Sequence, residues 1–169
     1  IGASRGLGLG LVERLSEDGW EVTATVRDLG KVPPALTATG AKVEALEMTR
    51  LESMDALSLR LQQQTFDLLF INAGVSGPAG YNTDQASDAD IGELFVINAV
   101  APIRLAQRLA GNVADGGAIA FMSSVLGSVA MPEGSPMALY KASKAALNSM
   151  TNTFVTELAR PQLTVLSMH

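Results

Sequence analysis

Tyr140 and Lys144 stand four residues apart, the spacing that puts two side chains on one face of a helix. The chain has few tyrosines and lysines, and chance gives about 0.05 such pairs. An ammonium beside a phenol favours the phenolate. The phenol can then pass a proton to a carbonyl oxygen or take one from an alcohol. Ser124 follows an apolar run and precedes Val125-Leu126-Gly127, and a hydroxyl at a strand end can donate to a substrate oxygen. Ser123 is its neighbour, but residues alternate along a strand, so only one of the two should face a site. Asn98 lies four residues before Pro102, whose ring clashes with the Asn98 carbonyl. A kinked helix is expected there, with that carbonyl free to hold a water that leads protons from Lys144 to solvent. Taken singly, each feature has a plainer explanation: a tyrosine on a lysine stem, a capping serine, a proline kink.

A second group of residues suits a nucleotide. Gly2-Ala3-Ser4-Arg5-Gly6-Leu7-Gly8 has the spacing G-x-x-x-G-x-G. Gly2 can turn tightly off a strand, Gly6 admits a pyrophosphate to the backbone, and Gly8 lets the next helix pack closely on a sheet. Free N–H groups at that helix start attract phosphates. Ser4, Arg5 and Leu7 lie inside the loop and are expected to line it. Arg27 ends the β-like run Glu21–Arg27; with Arg5 it would pair with a 2′-phosphate, which favours NADP. Asp28, twenty residues after Gly8, would instead accept from a ribose 2′-hydroxyl, which favours NAD. Strand alternation turns Arg27 away from the face of Val22, Ala24 and Val26, and this reading prefers NADP. Asn72-Ala73-Gly74 closes another apolar run, where small residues let a cofactor lie against the backbone. An ordinary strand-to-loop turn would explain that motif as well.

These residues need elements to hold them. Glu21–Arg27, Lys42–Glu47, Phe66–Asn72, Ala118–Ser123 and Leu163–Met168 read as strands. Two are near-continuous apolar runs, as strands covered on both faces are. Leu7–Asp18, Leu51–Gln64, Asp88–Gly111 and Tyr140–Leu158 read as helices. Segments Val32–Gly40 and Ala130–Ala138 read as surface loops. The β-α-β order predicts an α/β fold of the Rossmann type, a doubly wound parallel sheet with ligands at the carboxyl ends of its strands. At 169 residues, 47% hydrophobic and 17% charged, the chain is expected to form a single domain, residues 1–169. Both ends read as cut: only Ile1 stands before the glycine turn, and the last residues leave a strand.

A net charge of −5 without a basic stripe argues against nucleic acid and anionic lipid as partners. No run of about 18 apolar residues is long enough for a membrane span. There is no cysteine, and the single histidine is His169, so no thiolate or multi-histidine metal site is expected. A cytoplasmic protein is the expectation.

Together, Gly2-x-x-x-Gly6-x-Gly8, Asn72-Ala73-Gly74, Asn98, Ser124 and Tyr140-x-x-x-Lys144 resemble the short-chain dehydrogenases/reductases, in that family's order and over nearly the whole chain. The segment from Ser123 to Lys144 is similar to the C-factor/sniffer-type carbonyl reductases. The resemblance implies an NADP-dependent oxidoreductase interconverting a small-molecule carbonyl and an alcohol. It implies that Tyr140 transfers the proton, Lys144 assists it and holds the nicotinamide ribose, Ser124 orients the substrate oxygen, and Asn98 supports the relay water. Asn72, Ala73 and Gly74 would line the cofactor cleft. It also implies a homodimer through helices 88–111 and 140–158. A non-catalytic dinucleotide sensor of the same fold is the alternative. There are departures. Ile1 replaces a threonine, and Glu47, with Met48 beside it, stands where an aspartate usually meets the adenine amino group. Ser124 and Tyr140 are separated by more than the common spacing. The first strand and the C-terminal substrate lobe of the family have no counterpart in these residues.

Overall fold

The structure is a computed structural model that describes residues 1–77, 83–130 and 137–169. The expected loop 130–138 falls partly outside the described residues. The elements in chain order are α1 (Gly6–Glu17), β1 (Thr23–Val26), α2 (Pro34–Ala38), β2 (Lys42–Ala45), α3 (Leu51–Leu61), β3 (Phe66–Ile71), α4 (Asp88–Phe95), α5 (Ala101–Leu109), β4 (Val113–Met122), α6 (Ala138–Leu158) and β5 (Thr164–Met168).

All strand pairing among the described residues is parallel. β1 pairs with β2, and β3, β4 and β5 form a second group in that order. Ile1–Ala3 joins the two groups at one end. The Ile1 nitrogen donates to Phe70 O at 2.7 Å, and Ile1 O accepts from Asn72 N at 3.1 Å. On the other side, Ala3 N donates to Thr25 O at 2.9 Å. The spatial order is therefore β2, β1, residues 1–3, β3, β4, β5, and the chain reverses direction of winding at the glycine turn. Alongside this junction the facing edges of β1 and β3 leave a cleft of about 1010 Å³. Helices flank the sheet, giving the α/β doubly wound arrangement of Rossmann type.

The apolar patterns explain the packing. Met54, Leu57 and Leu61 are the buried stripe of α3. They meet Leu69 and Ile71 of β3 and Leu105 and Leu109 of α5 in the main core. Phe121 of β4 and Phe154 of α6 cross edge to face, with ring centroids 5.9 Å apart. A smaller core holds Ala3, Val12, Ala24, Val26 and Leu36.

Several boundaries differ from the sequence expectation. β1 is shorter than Glu21–Arg27, because its pairing with β2 spans only Thr23–Val26. The loop Val32–Gly40 contains α2, which Pro34 starts at its first position, where a missing N–H costs nothing. β4 begins at Val113 rather than Ala118; Asp115-Gly116-Gly117 lies in a register shift, with Gly116 at φ +83°. The long helix Asp88–Gly111 is interrupted by a π-turn at Val96–Val100, where Ala101 N donates to Val96 O. The distortion sits immediately before Pro102, the residue expected to disturb it.

Candidate active site

A second cleft, of about 470 Å³, runs along the carboxyl ends of β1 to β4. It is smaller than the cleft between the β1 and β3 edges, yet it gathers most of the predicted site residues. Gly2, Ser4, Arg5, Gly6 and Leu7 line it from the α1 turn, and Arg27 from the end of β1. Glu47 and Met48 follow β2, while Asn72, Ala73 and Gly74 follow β3. Tyr140 and Lys144 close it from α6. Gly8, Asn98 and Ser124 are not part of this lining.

Each glycine of the turn has a separate reason to be glycine. Gly2 has φ +82°, and a Cβ there would stand 2.7 Å from the Ala73 Cβ. Gly8 faces the backbone instead: its Cβ would lie 2.1 Å from Gly2 O and 2.6 Å from Asn72 Nδ2. Gly6 has φ +55° and open space on its side-chain face. The α1 N-terminus has no side-chain cap and no acidic residue in its first turn. Its N–H groups and positive dipole end thus present themselves to the cleft. Asn72 Nδ2 donates to Gly2 O at 3.1 Å and ties the end of β3 to the turn.

The two candidates for the ribose differ sharply. Asp28 Oδ1 accepts from Gly30 N at 2.8 Å, capping a short 3₁₀ turn, and its other oxygen lies 3.7 Å from Lys31 Nζ. Arg27 and Arg5 are exposed, both at the cleft. Glu47 Oε1 accepts from Thr49 N and Thr49 Oγ1, so a local turn already engages this carboxylate.

Lys144 is 3% exposed, and its Nζ donates to Met122 O at 2.7 Å. It lies 5.8 Å from the centre of the Tyr140 ring. Burial lowers its pKa to about 8. Ser124 begins a 3₁₀ turn two residues beyond Met122. Its Oγ accepts from Leu126 N at 3.2 Å, which leaves the hydroxyl proton available for another acceptor. Asn98 is fully buried. Its Oδ1 accepts from Val75 N at 2.9 Å, and its Nδ2 donates to Val75 O at 2.7 Å and to Ser143 Oγ at 3.0 Å. Ser143 Oγ then donates to Tyr140 O at 2.7 Å. Ser143 was not singled out from the sequence, although it sits inside Tyr140-x-x-x-Lys144. Through it, the π-turn, the loop after β3 and the first turn of α6 form one hydrogen-bonded unit. Gly74 fits between them, where a Cβ would stand 3.2 Å from Asn98 Oδ1 and 3.4 Å from Lys144 Nζ.

The profile of the short chain dehydrogenase family matches residues 1–169. The chain belongs to this family. The dehydrogenase is accordingly an oxidoreductase acting on small molecules. A carbonyl reductase of Pseudomonas aeruginosa PAO1, solved in complex with NADP, superposes with a TM-score of 0.93 at 34% identity, covering 100% of this chain and 76% of that one. The Sniffer protein of Caenorhabditis elegans superposes at 0.83 with 29% identity, over 98% of this chain and 81% of that one. The cyclic-di-GMP-binding biofilm dispersal mediator protein of Escherichia coli K12 is 30% identical, over 98% of this chain and 68% of its own length. The dehydrogenase spans between 51% and 74% of the length of the curated relatives it matches. Among its described residues, no helix is long and apolar enough to cross a membrane.

Proposed function

We propose that this dehydrogenase binds NADP and reduces a carbonyl to an alcohol, or runs the reverse reaction. One observation carries the reading: Tyr140 and Lys144 line the same cleft as the uncapped α1 N-terminus and the glycine turn. The cleft suits a dinucleotide. Gly6 leaves space at the helix start, and Arg5 and Arg27 supply the positive charge that a 2′-phosphate needs. Arg5 and Arg27 line the cleft while Asp28 does not and caps Gly30 N instead, which supports NADP over NAD.

When bound, NADPH supplies the hydride. The chain's own residues handle the oxygen. Ser124 donates its free hydroxyl proton to the substrate oxygen, and Tyr140 donates a proton as negative charge develops there. The Lys144 ammonium, held by Met122 O, favours the phenolate left on Tyr140. In the reverse direction Tyr140 takes the alcohol proton. Asn98 fixes the loop after β3 and, through Ser143, the first helical turn that presents Tyr140. We also propose a homodimer through helices 88–111 and 140–158, a cytoplasmic location, and no nucleic-acid or membrane partner.

The alternative, a dinucleotide sensor without turnover, has no need for Tyr140, Lys144, Ser124 and Asn98 together. The decisive experiment follows NADPH absorbance with the full natural chain against a panel of ketones, aldehydes and quinones. Carbonyl-dependent NADPH loss is expected. Tight NADPH binding with no loss on any member would favour the sensor.

A further inference from the structure

Ser123 and Asn148 take no part in the steps above, yet they bond to each other beside the site. Ser123 Oγ donates to Asn148 Oδ1 at 2.6 Å, and Asn148 Nδ2 donates to Gly127 O at 3.4 Å. Ser123 and Gly127 lie on either side of Ser124. One amide thus brackets the residue read as the substrate-oxygen donor. Asn148 follows Lys144 by four residues and Tyr140 by eight, so the bracket comes from the helix face that carries both.

The seating of this turn is close. A Cβ on Gly127 would stand 2.9 Å from the Lys144 carbonyl carbon and 3.0 Å from both Lys144 Cβ and Asn148 Nδ2. The turn packs directly on α6 at Gly127. Inside the bracket, Gly127 N donates to Ser124 O at 2.9 Å, and Leu126 N donates to Ser124 Oγ. The backbone of Ser124 is therefore defined from within the turn and from α6. An apolar contact at position 148 would hold the turn against the helix but would not fix its rotation. An amide with one acceptor and one donor engaged fixes both.

We propose that Asn148 is a positioning residue for the reaction, setting the distance between the Ser124 and Tyr140 hydroxyls through its hold on Ser123 and Gly127. This rests on the reading of Ser124 as the donor to the substrate oxygen. The role is indirect, so its signature is non-additivity with Ser124.

The test is a double-mutant cycle in the full natural chain, with NADPH and 9,10-phenanthrenequinone as the probe pair. Asn148→Ala is expected to lower kcat/KM about tenfold and to leave the NADPH Kd within about twofold. In a Ser124→Ala background the same change is expected to cost nothing further. Amide hydrogen exchange supplies a readout that needs no turnover. Asn148→Ala should speed exchange at Leu126, Gly127 and Ser128 and leave β4 unchanged. Where Asn148→Ala fails to fold, Ser123→Ala removes half the bracket with a single oxygen atom. It should show a loss of about threefold that vanishes in the Ser124→Ala background. Equal losses in both backgrounds, or unchanged exchange at 126–128, would overturn the proposal while an impaired Ser124→Ala leaves the proposed reaction standing. Full turnover by Ser124→Ala would overturn the reading of Ser124 and this proposal together.

Discussion

Lys144 carries a burial cost that its chemistry requires. With its pKa lowered to about 8 from an ordinary 10.5, the folded protein gives up this proton more readily than the unfolded chain. Between those values the unfolded state binds more protons, so stability from this group rises with pH. Below about 8 the lysine is charged in both states and the full cost of burying the ammonium remains. Lys144→Met in the nucleotide-free protein should flatten that rise, read as the urea midpoint across the alkaline range. An identical pH profile in the variant would contradict the burial argument. Arg27 makes a separate prediction. Its guanidinium is exposed at the cleft, while Asp28 is engaged in a cap. Arg27→Ala should weaken NADPH by at least about tenfold and NADH by less than about twofold, as the lost partner is specific to the 2′-phosphate. Titration of both nucleotides checks it, and an unchanged ratio of affinities would remove the NADP assignment.

At the scale of elements, the α1 turn is the part of the site least tolerant of change. Gly8→Ala would drive a methyl group into Gly2 O and Asn72 Nδ2, both atoms of the rigid junction between α1 and β3. A loss of at least about 3 kcal/mol is expected in chemical denaturation. Gly10, in the same helix, has nothing within 4 Å of a Cβ position. Gly10→Ala should instead add up to about 1 kcal/mol, the helix propensity difference. The sequence made the glycine turn and the Tyr140–Lys144 face readable because both depend on spacing within one short segment. Local capping was harder to read. The Asp28 side chain chose Gly30 N, a turn that competes with any ligand role, and Pro34 nucleated a helix in a segment rich in loop residues. Ser143 and Asn148 were invisible for a different reason. Their partners, Asn98 and Ser123, are 45 and 25 residues away, and only the fold brings them together. A serine inside a tyrosine–lysine motif gives no signal of what it will face.

Across the whole molecule, the doubly wound order follows from alternating strands and helices, and the site follows from that order. The glycine turn lies where the two strand groups meet, so the carboxyl ends of β1 to β4 open onto one cleft. Asn98 reaches from the π-turn to the loop after β3 and to α6, which couples three elements behind the cleft. The homodimer proposal concerns the outer surface. Val155 on α6 remains 46% exposed, an apolar side chain that a partner helix would cover. Val155→Asp should convert the dimer to monomer in sedimentation analysis. A monomeric wild type would end the proposal.

The central claim is that the Tyr140 hydroxyl carries the proton in a reaction run on bound nucleotide. Tyr140→Phe removes that one oxygen and keeps the ring beside Lys144. The variant should bind NADPH as the wild type does and lose carbonyl reduction by at least about 10². Wild-type turnover from a protein without this hydroxyl would contradict the account.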